Sequence, residues 1–312
     1  MTARHLRLAL LIEFSLYAAW LAWRIEGGAG GLASFGGVLA VFFGSRALVV
    51  AVSYAFTLLG SDPVPSGLRC GPLGWLRMGL EEYVGLLRLF VLAQPFESRW
   101  LAPDRLDAAA PSEPQRPPLL LIHGYQCNRG FWYWLRPRLE AAGWRVATLS
   151  LEPVLRDIDV LVDGVEHRIR ELQQATGAEQ VILVGHSMGG LVARAYLRRW
   201  GATRVARVVT LGSPHYGSRL AALAWGRNGR QMVIGNPWLR ELQTEPLPVP
   251  LTSIYSVHDN QVIPQRRCSE LAGARSVAIG GVSHLGMATS GRVLAVLLSE
   301  LAWSGSVSRP ST

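Results

Sequence analysis

The stretch Val181-Ile-Leu-Val-Gly-His-Ser-Met-Gly-Gly190 decides the fold. Its first four residues are apolar, as a strand buried on both faces requires. Gly185-His-Ser-Met-Gly189 follows without a spacer, and residues 190–200 carry a helical pattern. A strand, a tight turn with serine at its apex and a helix form the setting of a nucleophile elbow. The turn needs small residues two places before and two after the serine, and Gly185 and Gly189 supply them. Gly190 gives strand and helix room to approach. Such a turn lifts the Ser187 hydroxyl above the sheet edge and aims the positive end of the helix at negative charge developing there.

On either side of this stretch, strands and helices alternate. Residues 119–122, 145–149, 205–211, 252–257 and 276–279 read as strands, and residues 131–142, 157–175 and 285–303 as helices. In the 157–175 segment, Ile158, Leu161, Val162, Val165, Ile169 and Leu172 fall on one helical face. The alternation predicts an α/β domain over 119–303, with a mostly parallel sheet flanked by helices.

A serine hydroxyl is a weak nucleophile and needs a base within hydrogen-bond reach. Folds with this elbow run in the order serine, acid, histidine. After Ser187 come His215, His258 and His284. His215 has no acid between it and the serine, and His258 sits at a strand end beside Asp259. His284 lies in a Gly-rich loop between the last strand and the last helix, which is the base's place. Glu241, Glu245, Asp259 and Glu270 lie between Ser187 and His284. Asp259 directly follows a strand, at the sheet edge where catalytic groups gather. It is the first choice for the acid, with Glu245 in reserve.

Acyl transfer also needs donors for an oxyanion. One is the backbone amide after the nucleophile, Met188; the other comes from the loop His123-Gly124-Tyr125-Gln126, with Tyr125 first and Gln126 second. His123 precedes the serine and reads as structural. Phe131 and Trp132 either wall an acyl pocket or pack a helix. The long stretch 215–250, with Trp225, Met232, Ile234 and Trp238, has the composition of a lid.

Ile122-His-Gly-Tyr125, Gly185-His-Ser-Met-Gly-Gly190, Thr210-Leu-Gly-Ser-Pro-His-Tyr-Gly217 and the Asp259 to His284 spacing together resemble the bacterial lipase and esterase branch of the α/β-hydrolases. The likeness runs from about residue 117 to 303 and leaves out the first hundred residues. It implies a carboxylic-ester hydrolase working through Ser187, Asp259 and His284, with Tyr125 and Met188 as the oxyanion hole; the aromatics, the lid-like stretch and the apolar N-terminus suggest an apolar acyl ester arriving from a bilayer. No cofactor is expected. Larger relatives carry calcium near the histidine loop, but only Glu270 lies between Asp259 and His284 here, so no metal is expected either. An acyltransferase or thioesterase would use the same triad. A membrane-tethered binding protein with a silent site is the reading from a different class.

The first sixty residues are of another kind. Residues 6–23 are apolar apart from Arg7 and Glu13, and residues 32–59 apart from Arg46 and small polar residues. Each is long enough to cross a bilayer. Residues 1–60 therefore read as a transmembrane helical hairpin, with Arg46 facing Glu13. A cleaved signal peptide is the alternative for residues 1–23, but Glu13 interrupts its apolar core. Residues 61–107 read as an amphipathic helical segment lying on the membrane or the hydrolase. Residues 108–118 read as a Pro-rich linker, and 304–312 as a disordered tail.

Two spans with basic outer ends (Arg4 and Arg7 before, Arg69 and Arg77 after) place both ends inside. The expectation is the inner membrane with the hydrolase facing the cytoplasm; an exported arrangement follows if only one segment inserts. Cys70, Cys127 and Cys268 have no metal or redox spacing, and unpaired thiols suit a reducing compartment. The net charge of +9 raises the question of nucleic acid. Every basic residue is Arg and none forms a run longer than a pair, so no nucleic-acid partner is expected.

Overall fold

The computed structural model describes residues 2–106 and 116–302. Most of the expected linker and the whole of the expected tail lie outside them. Six strands, β1 (Leu119–Ile122), β2 (Val146–Thr148), β3 (Val181–His186), β4 (Val205–Leu211), β5 (Leu251–Ser256) and β6 (Arg275–Ile279), form one sheet in the order β2-β1-β3-β4-β5-β6. Every pairing is parallel. The order reverses between β1 and β3, and the crevice beyond their C-terminal ends is where open parallel sheets bind ligands.

Alternate residues of each strand face opposite ways. Leu120, Ile122, Leu183 and Val208 point into one apolar core, while Leu119, Leu121, Ile182, Val184 and Val209 point into another. Helices α6 (Ile158–Thr176) and α7 (Met188–Trp200) cover the first face; α5 (Leu135–Ala141) and α11 (Gly291–Ala302) cover the second. The shorter helices α8 (Gly226–Gln231), α9 (Pro237–Thr244) and α10 (Gln265–Ser269) belong to loops at the strand ends.

Two helices differ from the sequence reading. The 131–142 segment splits into a 3-10 turn at Arg129–Trp132, which Asn128 caps through its side chain, and α5. The closing 285–303 segment splits into a 3-10 turn at Leu285–Ala288 and α11. There the Ser290 hydroxyl accepts the Val293 amide and starts a new helix.

At the N-terminus, α1 (Ala3–Glu26) and α2 (Gly31–Gly60) form an antiparallel hairpin. Both are long and apolar enough to cross a membrane, and almost all of each apolar stretch is left unburied, unlike a core helix. Arg46 donates to both Glu13 oxygens at 2.6 Å, the pairing expected from the sequence. α3 (Pro72–Leu87) continues into a π turn, Arg88–Ala93, and is followed by the short α4 (Glu97–Trp100). Met78, Glu82 and Leu89 of this segment are buried, while Leu73, Leu76 and Leu80 are exposed. The amphipathic segment thus lies on the α/β domain with an apolar strip left outward.

Candidate active site

β3 ends at His186, and the chain turns at Ser187 with φ 52° and ψ −123° before α7 begins. A non-glycine residue there is strained, and the strain is held by its surroundings. A Cβ on Gly185 would lie 2.6 Å from Gly189 and Gly190 backbone atoms, and one on Gly189 only 2.2 Å from the Ile122 carbonyl oxygen. Both glycines are therefore obligatory for the turn. Gly124 is a third: its Cβ would sit 3.0 Å from Ser187 Cβ and 3.1 Å from His186 Nδ1. The loop after β1 passes close to the nucleophile only because Gly124 has no side chain.

The structure brings Asp259 and His284 together. His284 Nδ1 lies 2.8 Å from Asp259 Oδ2 and 3.0 Å from Oδ1, with both side chains buried. Asp259 Oδ1 also accepts the amides of Gln261 (2.7 Å) and Val262 (2.8 Å), which fix the carboxylate on its turn. With Nδ1 committed to Asp259, Nε2 is the nitrogen left for chemistry. Burial depresses the imidazole pKa, but the charge and hydrogen bond of Asp259, followed by the charge of Glu82, raise it above the usual histidine value. Ser187 and His284 line one cavity. Among the described residues no hydrogen bond joins Ser187 Oγ to the ring; such contacts commonly tighten only when substrate binds.

Of the other candidates, Glu241 and Glu245 are exposed and stand apart from the cavity, and Glu270 accepts from the Tyr255 hydroxyl at 2.8 Å. His215 is fully buried against Thr210. His258 accepts the Gly281 amide. His123 donates through Nδ1 to the Gly124 carbonyl at 2.9 Å and accepts the Leu151 amide through Nε2 at 2.9 Å. Burial holds its pKa down at about 3, so it stays neutral and braces the loop after β1. His186, also neutral through burial, packs with its ring centroid 4.7 Å from that of His284.

Met188 is the first residue of α7, so its amide has no partner within the helix. Among the described residues the Tyr125 amide donates to no acceptor either. Gly124, Tyr125 and Gln126 line the cavity beside Ser187. The Tyr125 hydroxyl points elsewhere: it donates to the Trp225 carbonyl at 2.7 Å and accepts the Trp225 amide at 2.8 Å. The 215–250 stretch is thereby pinned to the loop after β1. Gln126 adopts φ 55°.

The cavity holds about 840 Å³ and is mainly apolar. Leu220, Leu223 and Trp225 form one wall; Leu48, Val49 and Val52 of α2 form another. Phe131 and Trp132, read from sequence as possible pocket walls, do not reach it. Both are fully buried in the second core, where Phe131 stacks on His186 at 4.4 Å, so packing is their role. Among the described residues no cluster of three or more His, Cys, Asp or Glu side chains suits a metal ion.

Sequence reading missed Glu82, Asn260 and Ser53. His284 donates its amide to Asn260 Oδ1 at 3.0 Å, and Asn260 Nδ2 donates to Ser53 Oγ at 2.8 Å and Glu82 Oε1 at 3.0 Å. The one available signal was position: Glu82 is four residues from Met78 and seven from Leu89, on the helix face that is buried.

A parallel sheet with a strained serine at the end of β3 and a buried acid–imidazole pair beyond β5 and β6 defines an α/β-hydrolase. The profile of the alpha/beta hydrolase fold matches residues 117–272, and the chain belongs to that family. Triacylglycerol lipases from Pseudarthrobacter phenanthrenivorans and Burkholderia plantarii are each 34% identical over 119 residues, covering 34% of this chain and 35% and 32% of theirs. Salicylic acid-binding protein 2 of Nicotiana tabacum is 43% identical over 79 residues, covering 23% of this chain and 30% of its own. The chain thus spans about a third of the length of these curated relatives. The mature lipase BlEst2 of Bacillus licheniformis superposes with a TM-score of 0.55 at 20% identity, over 61% of this chain and 93% of that one, a likeness of fold.

Proposed function

We propose that this chain is a serine carboxylic-ester hydrolase of apolar acyl esters, held at a membrane by its N-terminal hairpin. The observation that carries the reading is the buried Asp259–His284 pair, 2.8 Å apart, whose His284 lines the same apolar cavity as the strained Ser187. The matches to triacylglycerol lipases support ester bonds as the target.

The chemistry follows from the placement. Ser187 Oγ attacks the ester carbonyl carbon as its proton passes to His284 Nε2. Asp259 keeps the proton on Nδ1 and stabilises the imidazolium. The carbonyl oxygen, now negative, takes hydrogen bonds from the Tyr125 and Met188 amides. Collapse expels the alcohol, which leaves with the proton from Nε2. Water, deprotonated by the same nitrogen, then releases the acid and restores Ser187.

The cavity walls support apolar acyl chains as the part of the ester that is bound. An acyl chain bound beside Ser187 lies against Leu48, Val49 and Val52, on a helix whose remaining length is apolar and exposed. A lipid then moves from the membrane along α2 into the site without crossing water. Arg46 sits in this helix already neutralised by Glu13, which removes most of the cost of a charge at that depth. With both spans inserted, the hydrolase faces the cytoplasm.

Product analysis on a medium-chain ester, with and without an added acceptor alcohol, tests hydrolysis against acyl transfer. Free acid as the main product in both supports the hydrolase; a new ester dominating in the presence of acceptor assigns the acyltransferase instead.

A further inference from the structure

Glu82 lies on α3, outside the hydrolase sheet, and is 1% exposed. Its carboxylate is fully engaged. Oε1 accepts from Asn260 Nδ2 at 3.0 Å and Gln261 Nε2 at 2.8 Å; Oε2 accepts the Leu285 amide at 2.8 Å. Among the described residues no cation forms an ion pair with it. A buried carboxylate without a cation is costly unless hydrogen bonds replace its water, and here every one of those bonds comes from the two triad loops.

The connections are specific. Asn260 and Gln261 directly follow Asp259, and Leu285 directly follows His284. Asn260 also accepts the His284 amide through Oδ1 at 3.0 Å. One side chain therefore grips the acid loop and the base loop together, while Ser53 of α2 backs the grip through Asn260. We infer that Glu82 is a positioning residue of the triad, so that the N-terminal helices complete the active site as well as anchoring the chain. This rests on the Ser187–Asp259–His284 reading.

Packing alone does not account for the arrangement. An apolar residue at 82 would bury α3 against the hydrolase equally well, yet would strand the Leu285 amide and Gln261 Nε2 and leave Asn260 Nδ2 with Ser53 alone. Glu82 also places a second negative charge behind the imidazole that must carry positive charge in the transition state. The other ionisable groups around it are Tyr54 of α2, close enough to feel its charge, and Asp259 and His284 of the hydrolase. On its own helix Glu81 is paired outward with Arg77. His186, against the His284 ring, is neutral.

The test is a pH-rate profile of full-length Glu82→Gln and Glu82→Asp in detergent micelles, with rates normalised to sites titrated by a fluorophosphonate. Glu82→Gln is expected to lower kcat by about 10- to 100-fold, the scale of a misplaced catalytic group, with KM little changed. Its acid limb is expected to move to lower pH, because His284 loses a charge that favours its protonation. Glu82→Asp keeps the charge at shorter reach: kcat falls less and the acid limb stays in place. Should Glu82→Gln fail to fold, Glu82→Asp carries the test alone, and a wild-type kcat in it overturns the inference. Wild-type kcat and an unmoved acid limb in Glu82→Gln overturn it too. Labelling that persists in Ser187→Ala would instead overturn the triad reading beneath it.

Discussion

Asp259 Oδ2 stands 2.8 Å from His284 Nδ1, with side chains 1% and 3% exposed. The pair is held by groups around it, since Asp259 Oδ1 also takes two backbone amides. Asp259→Asn puts an amide against Nδ1 and selects the wrong tautomer. We expect kcat to fall by on the order of 10³- to 10⁴-fold. Glu245→Gln, at an exposed position, should leave kcat within about twofold. Steady-state kinetics on a soluble ester separate the two, and the reverse ranking would make Glu245 the acid.

The same pair sets the pH dependence. His284 acts as a base only when neutral, and its pKa is raised by Asp259 and Glu82 against the opposing effect of burial. Activity should therefore be lost as pH falls through a value above about 6.5, the free imidazole value. In Asp259→Asn the remaining activity should persist to lower pH. A wild-type acid limb well below 6 would contradict the assignment of His284.

The elbow makes a steric prediction. A methyl group on Gly189 would lie 2.2 Å from the Ile122 carbonyl and 2.8 Å from that of His123. Neither strand-end backbone can retreat without unpairing β1 from β3. Gly189→Ala should destabilise by about 3 kcal/mol or more, seen as loss of soluble protein or a large fall in Tm. A Tm equal to wild type would mean that the turn is looser than drawn.

Much of this was legible in the sequence, and the failures share a cause. Ser187, Asp259 and His284 stood out because each sits at a strand end in a required order. The strands were legible because short apolar runs between turn residues have few other uses. Phe131 and Trp132 stayed open between two roles because bulky aromatics beside the loop after β1 suit a pocket wall and a core equally, and only packing on His186 decides. Glu82 went unnoticed because its partners Asn260, Gln261 and Leu285 lie about 180 to 200 positions away. No local pattern encodes a hydrogen bond made across that distance. The Glu13–Arg46 pair was readable because two lone charges in two apolar runs have few alternatives.

Tyr125 offers a way to separate the oxyanion amide from the side chain. Its hydroxyl bridges the amide and carbonyl of Trp225, so Tyr125→Phe keeps the backbone donor and cuts the tie. We expect a stability loss of about 1 kcal/mol and turnover of short esters within about tenfold of wild type. Thermal denaturation and kinetics on one preparation check this. A 10³-fold loss of kcat would mean that the hydroxyl itself takes part in catalysis.

Topology is tested by an alkaline phosphatase reporter, active only outside the cytoplasm, fused after Ala302. Two inserted spans place it inside, so phosphatase activity should stay at background. Strong activity would put the hydrolase on the outer side and overturn the two-span arrangement.

The central claim is that Ser187 is a nucleophile activated by His284. A fluorophosphonate forms a covalent adduct with such a serine and with little else. The full-length protein in detergent micelles should label at one site, mapped by mass spectrometry to Ser187. Labelling should vanish in Ser187→Ala, drop steeply in His284→Ala and survive in His258→Ala. Absence of labelling in folded wild-type protein, or an adduct on any other residue, would contradict the account.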